Sequence, residues 1–140
     1  MKRRDFLKAS LLGLGGTVLL KGTNVFACGN KTKCMGKEFT NIIYTKDNPG
    51  RWAKKVGSHA PVITVKKDKV TVETKHPMSE GHFIVRHTLV LKDGTVLGAK
   101  TFKPTDKPVS EYTLPKGYKG KIYATSFCNL HDFWLSEATV

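Results

Sequence analysis

From Pro61 onward the apolar residues of this chain recur at every second position in short runs, and no stretch beyond residue 27 carries the i, i+3, i+4 spacing of an amphipathic helix. That pattern confines the chain to folds built from strands. Val62, Ile63 and Val65 form one run, Lys67-Asp68 a turn, and Val70 and Val72 alternate with Thr71 and Glu73 in the next. Phe83 to Leu91 and Thr95 to Lys100 flank Lys92-Asp93-Gly94, where Asp-Gly supplies the positive φ of a tight hairpin. Phe102 to Pro115 holds Pro104, Pro108 and Pro115 and reads as a long connection with one edge strand around Tyr112. Lys119 to Phe127 is again strand-like and delivers Cys128 at its end. Short strands at regular spacing, with turn chemistry between them, give an all-β fold, an immunoglobulin-like β-sandwich, with a small barrel as the alternative.

The N-terminal part reads differently. Lys2, Arg3 and Arg4 precede an uncharged run from Ala9 to Leu20, and Val25-Phe26-Ala27 is acceptable to a signal peptidase. Arg3-Arg4-Asp5-Phe6-Leu7-Lys8 matches the twin-arginine export pattern, so residues 1–27 are expected to be a signal and the protein periplasmic or otherwise extracytoplasmic. That route carries folded proteins, which suits a cofactor inserted before export. Residues 28–55 show no sustained period and are expected to form a loosely packed leader, with the domain proper over 56–140. Cys28 is either lipidated, which would tether the protein to a membrane, or paired with Cys34; the sequence leaves both open.

Formal net charge is +13, and the first 27 residues hold five basic side chains against Asp5, which leaves +9 on the rest. The lysines are spread along the chain instead of clustering on one arm, which argues against a nucleic-acid partner. A small anion drawn to a basic surface is the reading that remains.

Cys128-Asn129-Leu130-His131 places a thiol and an imidazole two residues apart, and His76-Pro77-Met78-Ser79-Glu80-Gly81-His82 places two imidazoles about a turn. His59, in Ser58-His59-Ala60-Pro61, is a further donor. His87 lies inside a strand beside Arg86 and is set aside. Four imidazoles and a thiolate exceed the four ligands of a closed zinc site. Blue copper fits poorly, because no Met follows Cys128 to serve as its axial ligand. Nitrogen and sulfur donors with an open sixth position suit iron, with the imidazoles in a plane and the thiolate below it.

Ser58-His59-Ala60-Pro61-Val62-Ile63, His76-Pro77-Met78 followed by His82, and Cys128-Asn129-Leu130-His131 with an aromatic soon after resemble the iron-binding domain of desulfoferrodoxin and neelaredoxin, the superoxide reductases. The resemblance covers roughly Lys55 to Leu135. It implies one iron held by His59, His76, His82 and His131 in the plane and by Cys128 on the axis. It also implies one-electron reduction of superoxide to hydrogen peroxide, with an external electron donor such as a rubredoxin-like or cytochrome-like protein. A homo-oligomer is expected by the same analogy. Backbone amides around Asn129 and Leu130 are expected to donate to the Cys128 sulfur, and Phe133 and Trp134 to pack beside the site and restrict water.

Two departures stand out. Most relatives carry Glu-Lys just before the first ligand histidine, where the lysine attracts superoxide and assists protonation; Gly57-Ser58 stands there in this chain. Lys54 and Lys55 are the candidates to replace that lysine. Ahead of the domain only Cys28 and Cys34 are present, too few for the cysteine-rich iron module of desulfoferrodoxins, so a single iron is expected. The loss of Glu-Lys keeps open a non-catalytic iron-binding or electron-transfer protein on the same scaffold. A secreted adhesion module is a third reading, which leaves the five donors unexplained.

Overall fold

The computed structural model describes residues 41–140. The expected signal, Cys28, Cys34 and the rest of the segment before residue 41 lie outside the described residues. Eight strands follow in chain order: β1 (Ile43–Tyr44), β2 (Val62–Lys66), β3 (Lys69–Glu73), β4 (Ile84–Leu91), β5 (Val96–Thr101), β6 (Val109–Thr113), β7 (Lys121–Cys128) and β8 (Asp132–Thr139). They form a five-stranded sheet in the order β1-β8-β7-β4-β5 and a three-stranded sheet in the order β2-β3-β6. The fold is all-β and immunoglobulin-like, with two sheets enclosing the core.

Alternation explains which residues meet between the sheets. Val70 and Val72 of β3, Leu89 and Leu91 of β4, and Ile122 and Ala124 of β7 all point inward and form one buried cluster with Leu114. Lys67, at a φ of 57°, turns β2 into β3, and Gly94, at 91°, turns β4 into β5. In the second turn the Asp93 carboxylate accepts from the Thr95 amide at 2.9 Å. A register shift between Ile84 and Arg86, where β4 pairs with β7, moves the inward set by one residue. Ile84 and His87, three apart, are therefore both buried.

His87 belongs to this interior. Its Nε2 lies 2.9 Å from Thr74 Oγ1 and its Nδ1 3.0 Å from Ser110 Oγ, while Thr74 also meets Ser126 at 2.9 Å. The imidazole thus joins β4 of one sheet to β6 of the other, fully out of water.

Residues 41–55 correct the expectation of a loosely packed leader. Ile43 and Tyr44 pair in parallel with Phe133 and Trp134 of β8, and Tyr44 is completely buried against Trp134, ring centroids 5.7 Å apart. A two-residue strand is too short to show a period, so burial of one large side chain fixes the segment. A 3-10 segment over Gly50–Lys55 then leads into a short helix, α1 (Val56–His59).

Candidate metal centre

Three structural devices deliver the donors to one rim of the sandwich. The short helix α1 ends on His59, whose Nδ1 faces the Lys55 carbonyl at 3.2 Å and Ser58 Oγ at 2.8 Å. A carbonyl only accepts, so the proton sits on Nδ1 and Nε2 presents a lone pair. The connection from Thr74 to Phe83 supplies His76 and His82, and a reciprocal pair of backbone bonds between Ser79 and His82 closes it into a tight turn. The β7–β8 turn supplies Cys128 and His131, with Asp132 at a φ of 61° completing the reversal.

One donor atom from each of His59, His76, His82, Cys128 and His131 falls in a single group, every member within 4.8 Å of the others. His76 Nε2 to His82 Nε2 is 3.0 Å, His82 Nε2 to His131 Nδ1 is 3.0 Å, and His131 Nδ1 to His59 Nε2 is 2.9 Å. Neighbouring rings around this circuit stand 4.4 to 4.7 Å apart by centroid, whereas His59 and His82, opposite one another, stand 5.9 Å apart. That is the pattern of a square. With edges near 3 Å, its centre lies about 2.1 Å from each nitrogen, the length of a metal–imidazole bond. Cys128 Sγ sits 3.5 Å from His131 Nδ1 and 4.0 Å from His76 Nε2.

The electrostatics agree with that fit. Burial, reinforced by the neighbouring imidazoles, holds His59 and His76 down to about 4, so both are neutral donors at neutral pH. His131 is lowered by burial, then by His82 and the Lys55 charge. Burial pushes the Cys128 thiol up, against the pull of the Leu130 and His131 backbone amides. A fully buried sulfur grouped with four imidazole nitrogens would become a thiolate when a cation enters the square. The donor set, softer than carboxylate and larger than a zinc tetrahedron, suits iron.

The Leu130 and His131 backbone acts to lower the thiol's pKa against burial, whereas the Asn129 amide donates to the Phe83 carbonyl at 3.2 Å. Trp134 is buried beside the site, its Nε1 donating to the His131 carbonyl at 2.9 Å and its ring 5.8 Å from that of His59. Phe133 corrects the expectation that it packs there too. It points to the other face of β8, 44% exposed, and stacks on Phe127 at 4.4 Å. One residue beside the site escaped the sequence reading. Trp52 meets the His131 ring at 4.6 Å and donates from Nε1 to Asp132 Oδ2 at 3.2 Å. Lys55 is half-buried and its charge acts on His76, His131 and Cys128, whereas Lys54 is exposed. Gly57 has open space where a side chain would extend, and Ser58 turns its hydroxyl back to Lys55 and His59.

The chain is similar to known proteins. The desulfoferrodoxin family model matches residues 51–137. The chain is 36% identical over 120 residues to the desulfoferrodoxin of Nitratidesulfovibrio vulgaris, covering 84% of this chain and 82% of that protein. It is 33% identical over 105 residues to the superoxide reductase of Pyrococcus abyssi, covering 63% of this chain and 90% of the relative. A variant of the neelaredoxin-type superoxide reductase of Ignicoccus hospitalis superposes with a TM-score of 0.65 at 30% identity, over 74% of this chain and 97% of that one. By sequence, fold and the matched extent, the chain belongs to the desulfoferrodoxin family of superoxide reductases.

Proposed function

We propose that this chain is an exported superoxide reductase with one iron, which His59, His76, His82, His131 and Cys128 would hold. The observation that carries this reading is the square of four imidazole nitrogens beside a buried thiol. Iron, when bound, supplies the one-electron couple that joins an external donor to superoxide. Superoxide takes one electron and two protons and leaves as hydrogen peroxide; no oxygen is produced.

The chain's own residues prepare that exchange. Leu130 and His131 amides hold negative charge on Cys128 and moderate how much of it the thiolate donates. Trp134 and Trp52 cover the His59 and His131 sides and keep water from those rings. Lys55 places a cation near three of the five donors and takes the part of the lysine that Gly57-Ser58 lacks, drawing the anion in. The twin-arginine pattern at residues 3–8 supports export of the folded, loaded protein.

Metal analysis and visible absorption of the purified protein test the centre. The expected result is one iron per chain with a thiolate-to-ferric band that is lost in Cys128→Ser. Superoxide added to the ferrous protein should then give peroxide without oxygen, with turnover restored by a donor. The open space at Gly57 and the inward turn of Ser58 favour one second reading, an iron protein on the same scaffold that does not turn over. An iron-loaded protein whose ferrous form is untouched by superoxide would establish that reading instead.

A further inference from the structure

Two of the five donors, His76 and His82, stand on a connection outside the sheets, and a metal site of this kind needs its nitrogens held to within a fraction of an ångström. The Ser79–His82 backbone pair and Ser79 Oγ donating to the His82 carbonyl at 3.1 Å are internal to this connection, and Met78 Sδ accepts from the Ile84 amide at the start of β4 at 3.4 Å. Met78 also packs against Ile84, Phe102 and Cys128, and Ile84 pairs with Cys128 across β4 and β7, so both the middle of the loop and its exit are anchored. None of these contacts bonds the Gly81 or Phe83 backbone that flanks His82.

The backbone on either side of His82 is held by the residue next to Cys128. Asn129 Oδ1 accepts from the Phe83 amide at 2.9 Å, Asn129 Nδ2 donates to the Gly81 carbonyl at 2.9 Å, and the Asn129 amide donates to the Phe83 carbonyl at 3.2 Å. The three bonds grip the backbone on both sides of His82. Among the described residues, Asn129 alone, from outside the connection, bonds the backbone of residues 77–83. Its side-chain amide presents a donor and an acceptor on two separate atoms, whereas a carboxylate lacks the donor and a hydroxyl carries both on one atom.

We infer that Asn129 is a positioning residue that fixes His82 against Cys128, so that one side chain sets the spacing between an in-plane nitrogen and the thiolate. The inference rests on the iron-site reading and adds the element that holds its geometry. Removing such a support leaves the donors in the chain and loosens one of them. Loss of a partner behind a ligand typically weakens metal binding by about tenfold to a hundredfold.

The test is a double-mutant cycle on the full chain, read as iron(II) affinity by competition with a chromophoric chelator. Asn129→Ala should weaken binding by about tenfold or more in the wild-type background and by less than about twofold once His82→Ala has removed the ligand it positions. A general loosening of the Cys128–His131 turn would cost the same factor in both backgrounds, and that result, or no loss at all, overturns the inference. Asn129→Asp keeps the acceptor for Phe83 and loses the donor to Gly81. It should fall between, and it carries the cycle if Asn129→Ala does not fold by circular dichroism. Wild-type protein that binds no iron would overturn the site itself and this inference with it, which separates the two failures.

Discussion

Trp52 stands edge-on to the His131 ring, planes at 88° and centroids 4.6 Å apart, although one belongs to the segment before the sandwich and the other to its last turn. Asp132, next to His131, makes the arrangement stable by accepting from Trp52 Nε1 at 3.2 Å and from Arg51 at 2.9 Å. Trp52→Phe should keep the ring contact and lose the hydrogen bond, at about 1 kcal/mol, while Trp52→Ala should cost about 2 kcal/mol or more by exposing the His131 side of the site. Urea unfolding of the metal-loaded protein measures both.

Asp132 carries a second constraint, because its φ of 61° lies in the left-handed region that Asn tolerates and Ala does not. Asp132→Asn should retain the turn and much of the bonding. Asp132→Ala should lose both and lower the melting temperature further than Asn, the order that differential scanning calorimetry would check.

His87 gives the fold a pH limit independent of the metal. Burial first, and the Lys100 charge second, hold its imidazole down at about 4, against about 6.5 in an unfolded chain. Between those values the unfolded chain takes up a proton that the folded chain refuses, so stability is full above about pH 6.5 and falls as the pH drops toward 4. The loss from this residue is about 3 kcal/mol. His87→Leu should flatten that part of the pH profile in metal-free protein, while leaving Thr74 and Ser110 short of partners at a cost of about 1–3 kcal/mol at neutral pH. Denaturant titrations of both proteins from pH 7 down to about pH 4.5 provide the comparison.

Lys55 and Lys54 are neighbours with different outlooks, one half-buried with its charge felt at three donors, the other exposed. Lys55→Ala should slow the reaction of the ferrous protein with superoxide several-fold and reduce its dependence on ionic strength; Lys54→Ala should change both less. Pulse radiolysis at two salt concentrations would show the difference.

A bound metal should also hold the fold together, since its candidate donors come from α1, the 74–83 connection and the β7–β8 turn. Iron at about a hundred times its dissociation constant should add about 2.7 kcal/mol to stability. Cys128→Ser should lose most of that increment and little of the metal-free stability, by parallel melts with and without iron.

The sequence made the sandwich legible because its core strands alternate cleanly: Val70-Thr71-Val72 and Ile122-Tyr123-Ala124 could be read directly as inside and outside. The donors were legible as a group because rare residue types recur beside turns. β8 was not, because Phe133-Trp134-Leu135 is apolar on both faces and hides its period, with Trp134 buried and Phe133 outside. β1 and Trp52 were missed for another reason. Their structure depends on partners some ninety and eighty residues away, Ile43 on Phe133 and Trp52 on Asp132, and no local pattern carries that information.

The pairing of β1 with β8 also orders events in time. A nascent chain that has reached β6 has already made His59, His76 and His82, yet it holds neither the thiol nor the fourth imidazole, and its first strand has nothing to pair with. Those three imidazoles stand on a helix end and a connection outside the sheets, two donors short of the full set. The five-donor set is therefore complete only once synthesis has passed Cys128 and His131, and β1 gains its partner only with β8.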